Sequence, residues 1–194
     1  MIAIMRNKII YIVSGLPRSG TSMMMKMLEA GGMDVLTDFA RKADEDNPKG
    51  YYEFEKAKDI KNDVSWLEEA YGKVFKIVSE LLYHLPSDKT YKIIFMRRDI
   101  NEILASQKKM LSNSEIDDGI SDDTLAKLYA KKLSRITVWL NEQDNIKVHY
   151  VEYKSVLNNT EEIVEGLNKF IGNTLDTQKM MNVVDPALYR QRNK

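Results

Sequence analysis

The 194-residue sequence predicts an α/β fold: one three-layer αβα domain over residues 1–194, around a parallel sheet of about five strands near 8–14, 33–36, 73–78, 91–97 and 146–152. Three observations predict it. Ile9 to Val13 is an apolar, largely β-branched run of strand length, the pattern of a strand buried on both faces of a parallel sheet. Tyr91 to Met96 repeats that pattern, and Lys73 to Val78 and Ile146 to Tyr153 add further β-like runs. Between the runs, apolar residues recur at helical spacing, as in Leu125, Leu128, Tyr129, Leu133, Ile136 and Leu140. Strands that alternate with helical stretches place helices on both faces of the sheet. Strand order does not follow from these patterns.

The first unit runs from Lys8 to Gly31. After the strand, Ser14 to Ser22 breaks the apolar run with two glycines and a proline. Met23, Met24, Met27 and Leu28 then recur at helical spacing, and Gly31-Gly32 stops the helix. Gly15 and Gly20 have the glycine spacing of a P-loop. Such a loop turns successive backbone N–H groups inward while the following helix points its positive end at the same spot, which makes an anion cradle suited to phosphate. A P-loop nucleoside triphosphatase has Lys directly after the second glycine to reach the β- and γ-phosphates; Thr21 stands there, and the cation lies inside the loop at Arg18.

Further along, Met33 to Leu36 reads as a short strand. Thr37 to Gly50 is polar and ends in the turn signal Asn47-Pro48-Lys49-Gly50, giving either a solvated loop or a flap facing the carboxyl edge of the sheet. Tyr51, Tyr52 and Phe54 either line a pocket or pack on the core. Lys56 to Tyr71 reads as a helix through Ile60, Val64 and Leu67, and Ser79 to Leu85 is open between helix and strand until Pro86 ends it. A helix starting near Asp99 places Ser106 about two turns in. Ser112 to Thr124 reads as a polar loop closing on an N-cap at Ser121 or Asp122, with the helix running to about Asn141. Another helix carries Ile163, Val164, Leu167, Phe170 and Ile171 on one face, and the tail ends basic.

Leu16-Pro17-Arg18-Ser19-Gly20-Thr21-Ser22 resembles the 5′-phosphosulfate-binding loop of the sulfotransferases, with its Pro-Lys/Arg-Ser-Gly-Thr-Ser/Thr pattern. The resemblance implies the P-loop NTPase-like strand order, 3′-phosphoadenosine 5′-phosphosulfate (PAPS) as donor and adenosine 3′,5′-bisphosphate as product. It implies that Arg18, Ser19, Gly20, Thr21 and Ser22 hold the 5′-phosphate, with Arg18 also in the catalytic cation's place. Arg98 at a strand end and Ser106 eight residues on match the family's 3′-phosphate ligands, and Arg suits that task because its fork donates parallel charge-assisted bonds. Ile100-Asn101 stand where the family has Pro. Tyr153 matches the residue that lies against adenine, although Lys154-Ser155 replace the usual Glu-Asp, and Phe170-Ile171-Gly172 resemble the Phe-Leu-Gly that follows. The basic tail, through Arg190 and Arg192, matches a segment that either covers the 3′-phosphate or frays in solvent. The segment from Asn47 through Glu53 also resembles one found in bacterial members.

For the base that deprotonates the acceptor, His84-Leu85-Pro86 resembles the His-Leu-Pro of cytosolic members, with Leu82-Tyr83 in place of Lys-Thr. His has a suitable pKa for the task. Glu53 is the rival and Glu45 the third choice.

Composition narrows the remaining classes. The 29 basic and 29 acidic residues balance, so no bulk field draws nucleic acid or an anionic membrane. With no cysteine and two histidines, disulfide and thiolate chemistry are excluded and no metal site is expected. The apolar N-terminus carries Arg6 and Lys8 and reads as a lead-in to the first strand, and no stretch approaches the length of a membrane span. The expectation is a cytoplasmic, PAPS-dependent sulfotransferase acting on a small-molecule acceptor, without a metal, its oligomeric state unread. A small-molecule or nucleoside kinase on the same fold and a non-catalytic nucleotide-binding protein are the alternatives.

Overall fold

The structure, a computed structural model, describes residues 8–38, 50–112 and 121–185. Glu45, Arg190, Arg192 and the turn at Asn47-Pro48-Lys49 lie outside the described residues, as does most of the polar stretch after Ser112.

Among the described residues four strands form the sheet: β1 (Ile9–Gly15), β2 (Val74–Lys76), β3 (Thr90–Arg97) and β4 (Ile146–Glu152). They pair in the order β2-β1-β3-β4, all parallel, so β1 is central. The fifth strand expected at 33–36 is reduced to one parallel bridge, Val35 to Val74. Leu36 N–H donates to Val74 O at 2.8 Å and Val74 N–H donates to Asp34 O at 2.9 Å, after which the chain turns away. This segment flanks β2 without extending the ladder.

Because side chains alternate across a strand, β1 supplies both cores. Tyr11 and Val13 face one layer, packed with Met24, Met27 and Leu28 of α1 (Thr21–Ala30) and with Val164, Leu167 and Ile171 of α6 (Thr160–Ile171). Ile10 and Ile12 face the other, with Trp66, Phe75, Ile136 and Leu140, the last two on α4 (Asp122–Asn141). The result is a three-layer α/β/α arrangement. Short helices complete it: α2 (Glu55–Lys58), α5 (Tyr153–Asn158) and α7 (Thr177–Met181). The helix after β3 is α3 (Ile100–Ser112).

The helix expected over 56–71 does not form as one piece. It breaks into α2 and a 3₁₀ turn at Ser65–Ala70. Asp59 and Asp63 account for the break, since Asp63 Oδ1 accepts from Ser65 N–H at 2.9 Å and Asp59 O accepts from both Asn62 N–H and Asp63 N–H. Short polar side chains that bond nearby backbone offer the chain an alternative to the helix ladder. Ser79–His84, left open by its pattern, is also 3₁₀. Ser121 is the N-cap of α4, its Oγ accepting from Thr124 N–H at 3.3 Å.

Candidate functional site

The loop from β1 to α1 leaves the carboxyl end of the central strand, where open α/β sheets bind ligands. Its shape depends on Gly20, the residue before α1, which sits in the left-handed region at φ 96°. A Cβ there would also run into the Tyr153 ring, 2.9 Å from Cε2. Ser19 N–H donates to Leu16 O at 3.2 Å and Met24 N–H donates to Gly20 O at 3.1 Å, closing the loop onto the helix. Arg18 adopts φ 67°, unusual for a residue with a side chain and worth of order 1–3 kcal/mol of strain.

The N-terminus of α1 has no side-chain cap and no acidic residue in its first turn. Ordinary helices satisfy this end with Ser, Thr, Asp or Asn. Here the neighbouring groups are cations and hydroxyls. Ser19 is 1% exposed and its Oγ has no hydrogen-bond partner; Ser14 Oγ, at the end of β1, is in the same state. A buried orphan hydroxyl costs free energy unless something else completes it. That is the donor set an anionic group needs.

Arg18 and Arg98 frame this end of the helix. Arg18 Nε donates to Ser106 Oγ at 3.0 Å, and Arg18 Nη1 lies 4.0 Å from Met110 Sδ, so the side chain extends along α3. Arg98 Nη1 donates to Arg18 O at 3.2 Å, and its Nε pairs with Glu102 Oε2 at 3.0 Å. The Arg98 guanidinium stands over the Tyr153 ring, 4.5 Å from its centroid. Burial raises the Tyr153 phenol above its usual pKa, while the charge of Arg98 pulls the other way and Glu102 adds to the rise. The structure thus brings Arg18, Arg98, Ser106 and Tyr153 together around the loop. Tyr153, however, is 7% exposed, with Arg98 over its face and Gly20 against its edge.

On the opposite side of the loop is Lys76, the last residue of β2, which the sequence reading overlooked. Its Nζ donates to Ser22 Oγ at 3.4 Å and also bonds the Tyr51 carbonyl. Ser22 Oγ donates to the same carbonyl at 3.2 Å. The available signal was a Lys flanked by the apolar pairs Val74-Phe75 and Ile77-Val78, at the edge where ligands bind.

The segment after Gly50 stays near the loop. Tyr51 and Tyr52 are buried, and Phe54 packs edge-on against Trp66, with ring centroids 5.2 Å apart, so the aromatic cluster packs on the core. Tyr52 OH donates to Glu29 of α1 at 2.5 Å. Burial, then the bond to Glu29, drives the Tyr52 phenol far above its ordinary pKa. Glu53 pairs with Lys58 at 2.7 Å, and its carbonyl accepts from Thr37 Oγ1 at 2.9 Å. Bonds to Glu53 and Glu55 raise the pKa of Lys58.

His84 is not brought to the loop. It is exposed and ends the 3₁₀ turn that descends beside α4. Its neighbour Tyr83 meets Trp139, near the end of α4, at 5.0 Å between centroids. Two residues on, Pro86 O accepts from Asn145, which immediately precedes β4. His84 therefore lies toward the amino edge of the sheet, and a seven-residue strand separates the two edges by about 20 Å.

Among the described residues no cluster of His, Cys, Asp or Glu is arranged to hold a metal, and no helix is long and apolar enough to cross a membrane.

A family model described as a sulfotransferase domain matches residues 9–191. The chain belongs to the sulfotransferase family. Its fold agrees with that assignment. A sulfotransferase domain from the curacin biosynthetic pathway superposes with a TM-score of 0.54 at 13% identity, covering 91% of this chain and 77% of that one. The mouse sulfotransferase SULT7A1, solved in complex with PAP, gives 0.52 at 16% identity, covering 92% of this chain. This chain spans 63% of the mouse protein's length. No curated protein matches. The three-layer sheet described above is thus a sulfotransferase fold, and the loop of Arg18 to Ser22 stands in it at the carboxyl edge of the central strand.

Proposed function

We propose that this sulfotransferase uses PAPS as donor and transfers its sulfuryl group to a hydroxyl or amine of a small-molecule acceptor. One observation carries the proposal: Arg18, Arg98 and Ser106 converge on an uncapped helix N-terminus with a buried, unpartnered Ser19 hydroxyl. The donor, when bound, supplies an activated sulfuryl group whose transfer leaves adenosine 3′,5′-bisphosphate.

The chain's own groups divide the work. Ser19 Oγ and the first-turn N–H groups of α1, at Thr21 and Ser22, receive the 5′-phosphate, aided by the helix dipole. Arg98 and Ser106 receive the 3′-phosphate, Arg98 as a charge-assisted donor and Ser106 through its O–H. Arg18 and Lys76 flank the loop from opposite sides and neutralise charge that develops on the leaving oxygen. A donor preorganised in this way is typically worth about 2.7–4 kcal/mol in the barrier. Tyr153 supports Arg98 from below. Glu53, two residues from the carbonyl that Lys76 and Ser22 hold, is the candidate base on the loop's side; its pairing with Lys58 must open for it to take a proton. His84 has no place in this scheme.

The test is transfer of radiolabelled sulfate from PAPS across a panel of phenols, alcohols and amines, with Arg18→Ala beside the wild type. The expected result is metal-independent transfer to at least one acceptor, reduced about 10²–10³-fold in Arg18→Ala. Transfer that persists undiminished in the variant would remove Arg18 from the chemistry.

A further inference from the structure

We propose that Glu102 is a positioning residue that holds the Arg98 guanidinium in register and so sets the site's preference for bisphosphorylated over monophosphorylated nucleotides. The inference rests on the donor reading above.

A carboxylate beside an anion site is unexpected, because its charge opposes the ligand. Glu102 is nonetheless there, with 7% of its side chain exposed against 9% for Arg98. Its placement is built into the start of α3. Asp99 Oδ1 accepts from Asn101 N–H at 2.9 Å and Glu102 N–H at 3.2 Å, and Asp99 O accepts from Ile103 N–H at 3.0 Å. This cap puts Glu102 in the first turn, where a carboxylate is favoured by the helix dipole. From there Oε2 reaches Arg98 Nε at 3.0 Å.

Among the partners of the guanidinium, Glu102, the Arg18 carbonyl and Tyr153 bear on its orientation. Glu102 holds Nε, the Arg18 carbonyl accepts from Nη1 at 3.2 Å, and the guanidinium carbon stands over the Tyr153 ring, 4.5 Å from its centroid. Bonds from two different nitrogens and a contact with an aromatic ring together restrict the rotation of a planar group. Arg binds phosphate through fork geometry, and a fork turned out of plane loses its parallel bonds even though its charge remains. Glu102 thus trades some electrostatic attraction for orientation, and orientation is what distinguishes a 3′-phosphate from diffuse negative charge.

The length and the charge of the side chain make separate predictions. Glu102→Gln keeps the reach and an oxygen that accepts from Nε but removes the charge. Glu102→Asp keeps the charge but is one methylene short. The experiment is calorimetric titration of the full chain with adenosine 3′,5′-bisphosphate and with adenosine 5′-monophosphate, for wild type, both variants, Arg98→Ala and Arg98→Ala/Glu102→Asp, with melting temperatures alongside. Wild type should prefer the bisphosphate by about tenfold or more. Glu102→Asp should lose most of that preference and Glu102→Gln keep it within about threefold. Glu102→Asp should change nothing further on the Arg98→Ala background. The proposal is overturned if Glu102→Asp keeps the wild-type preference, whatever its melting temperature, or if Glu102→Gln loses it. Absence of any preference in the wild type would instead sink the donor reading, and Glu102's role with it.

Discussion

Arg18 Nε donates to Ser106 Oγ at 3.0 Å, tying the loop after β1 to the second turn of α3. A serine hydroxyl accepts and donates at once. Arg18 therefore orients the Ser106 O–H for a further acceptor without consuming it. Ser106→Ala should weaken binding of adenosine 3′,5′-bisphosphate about tenfold or more, as for loss of a hydrogen bond to a charged group. Binding of adenosine 5′-monophosphate should change little. Parallel titrations check this, and equal losses for both nucleotides would place Ser106 in general support of the loop.

Gly20 and Gly32 offer a matched pair. Both have positive φ, 96° and 94°, but a Cβ at Gly20 meets the Tyr153 ring whereas at Gly32 nothing lies within 4 Å. Gly32→Ala should cost about 1–2 kcal/mol of backbone strain and leave ligand binding intact. Gly20→Ala should cost more and abolish nucleotide binding, because either the loop or Tyr153 must move. Urea unfolding and titration of both variants decide it.

Lys76 bonds Ser22 at the loop, whereas His84 ends a 3₁₀ turn away from it. Lys76→Met should lower the rate of sulfuryl transfer about 10²–10³-fold while changing bisphosphate affinity far less. His84→Ala should leave both near wild type. A large rate loss in His84→Ala would contradict its placement away from the loop, next to the Tyr83–Trp139 contact.

His149, on β4, stacks on Phe170 with centroids 5.2 Å apart, and burial holds its pKa below the ordinary value. At pH above about 6.5 the ring is neutral in both folded and unfolded chains. As the pH falls from there through the folded pKa, the unfolded chain takes up the proton first, so the fold loses stability. The ring is partly buried, which keeps the effect modest. The stability advantage of wild type over His149→Gln should therefore shrink between pH 7 and pH 5. An advantage that widens over that range would mean the charged ring is favoured in the fold.

Local signals carried the fold and stopped where long-range contacts took over. Strand, glycine loop and helix are contiguous from Ile9 to Ala30, and each announces itself by period or by glycine, so the loop at the centre of the site was readable. The Arg98 and Ser106 pair was readable only through the family's spacing, since nothing local links a strand-end Arg to a Ser two turns into a helix. The 56–71 helix was misread because Asp59 and Asp63 spend their side chains and carbonyls on local turns that a hydrophobic period does not register. Lys76 and Glu102 were missed for a different reason. Each matters through a partner remote in sequence or outside the pattern being matched: Ser22 and Tyr51 for Lys76, and the Arg98 guanidinium with its Tyr153 platform for Glu102. The case for His84 rests on a three-residue likeness, which does not register the 3₁₀ turn that leads it away from the loop.

The central claim is that this site is built for a 3′,5′-bisphosphorylated nucleotide. It is tested most directly by calorimetric titration of the wild type and Arg98→Ala with adenosine 3′,5′-bisphosphate, in the presence and absence of Mg²⁺, with Mg·ATP as control. The account predicts tight, metal-independent binding of the bisphosphate, lost in Arg98→Ala, and no comparable binding of Mg·ATP. Preference for Mg·ATP, or bisphosphate binding that survives Arg98→Ala unchanged, would contradict it.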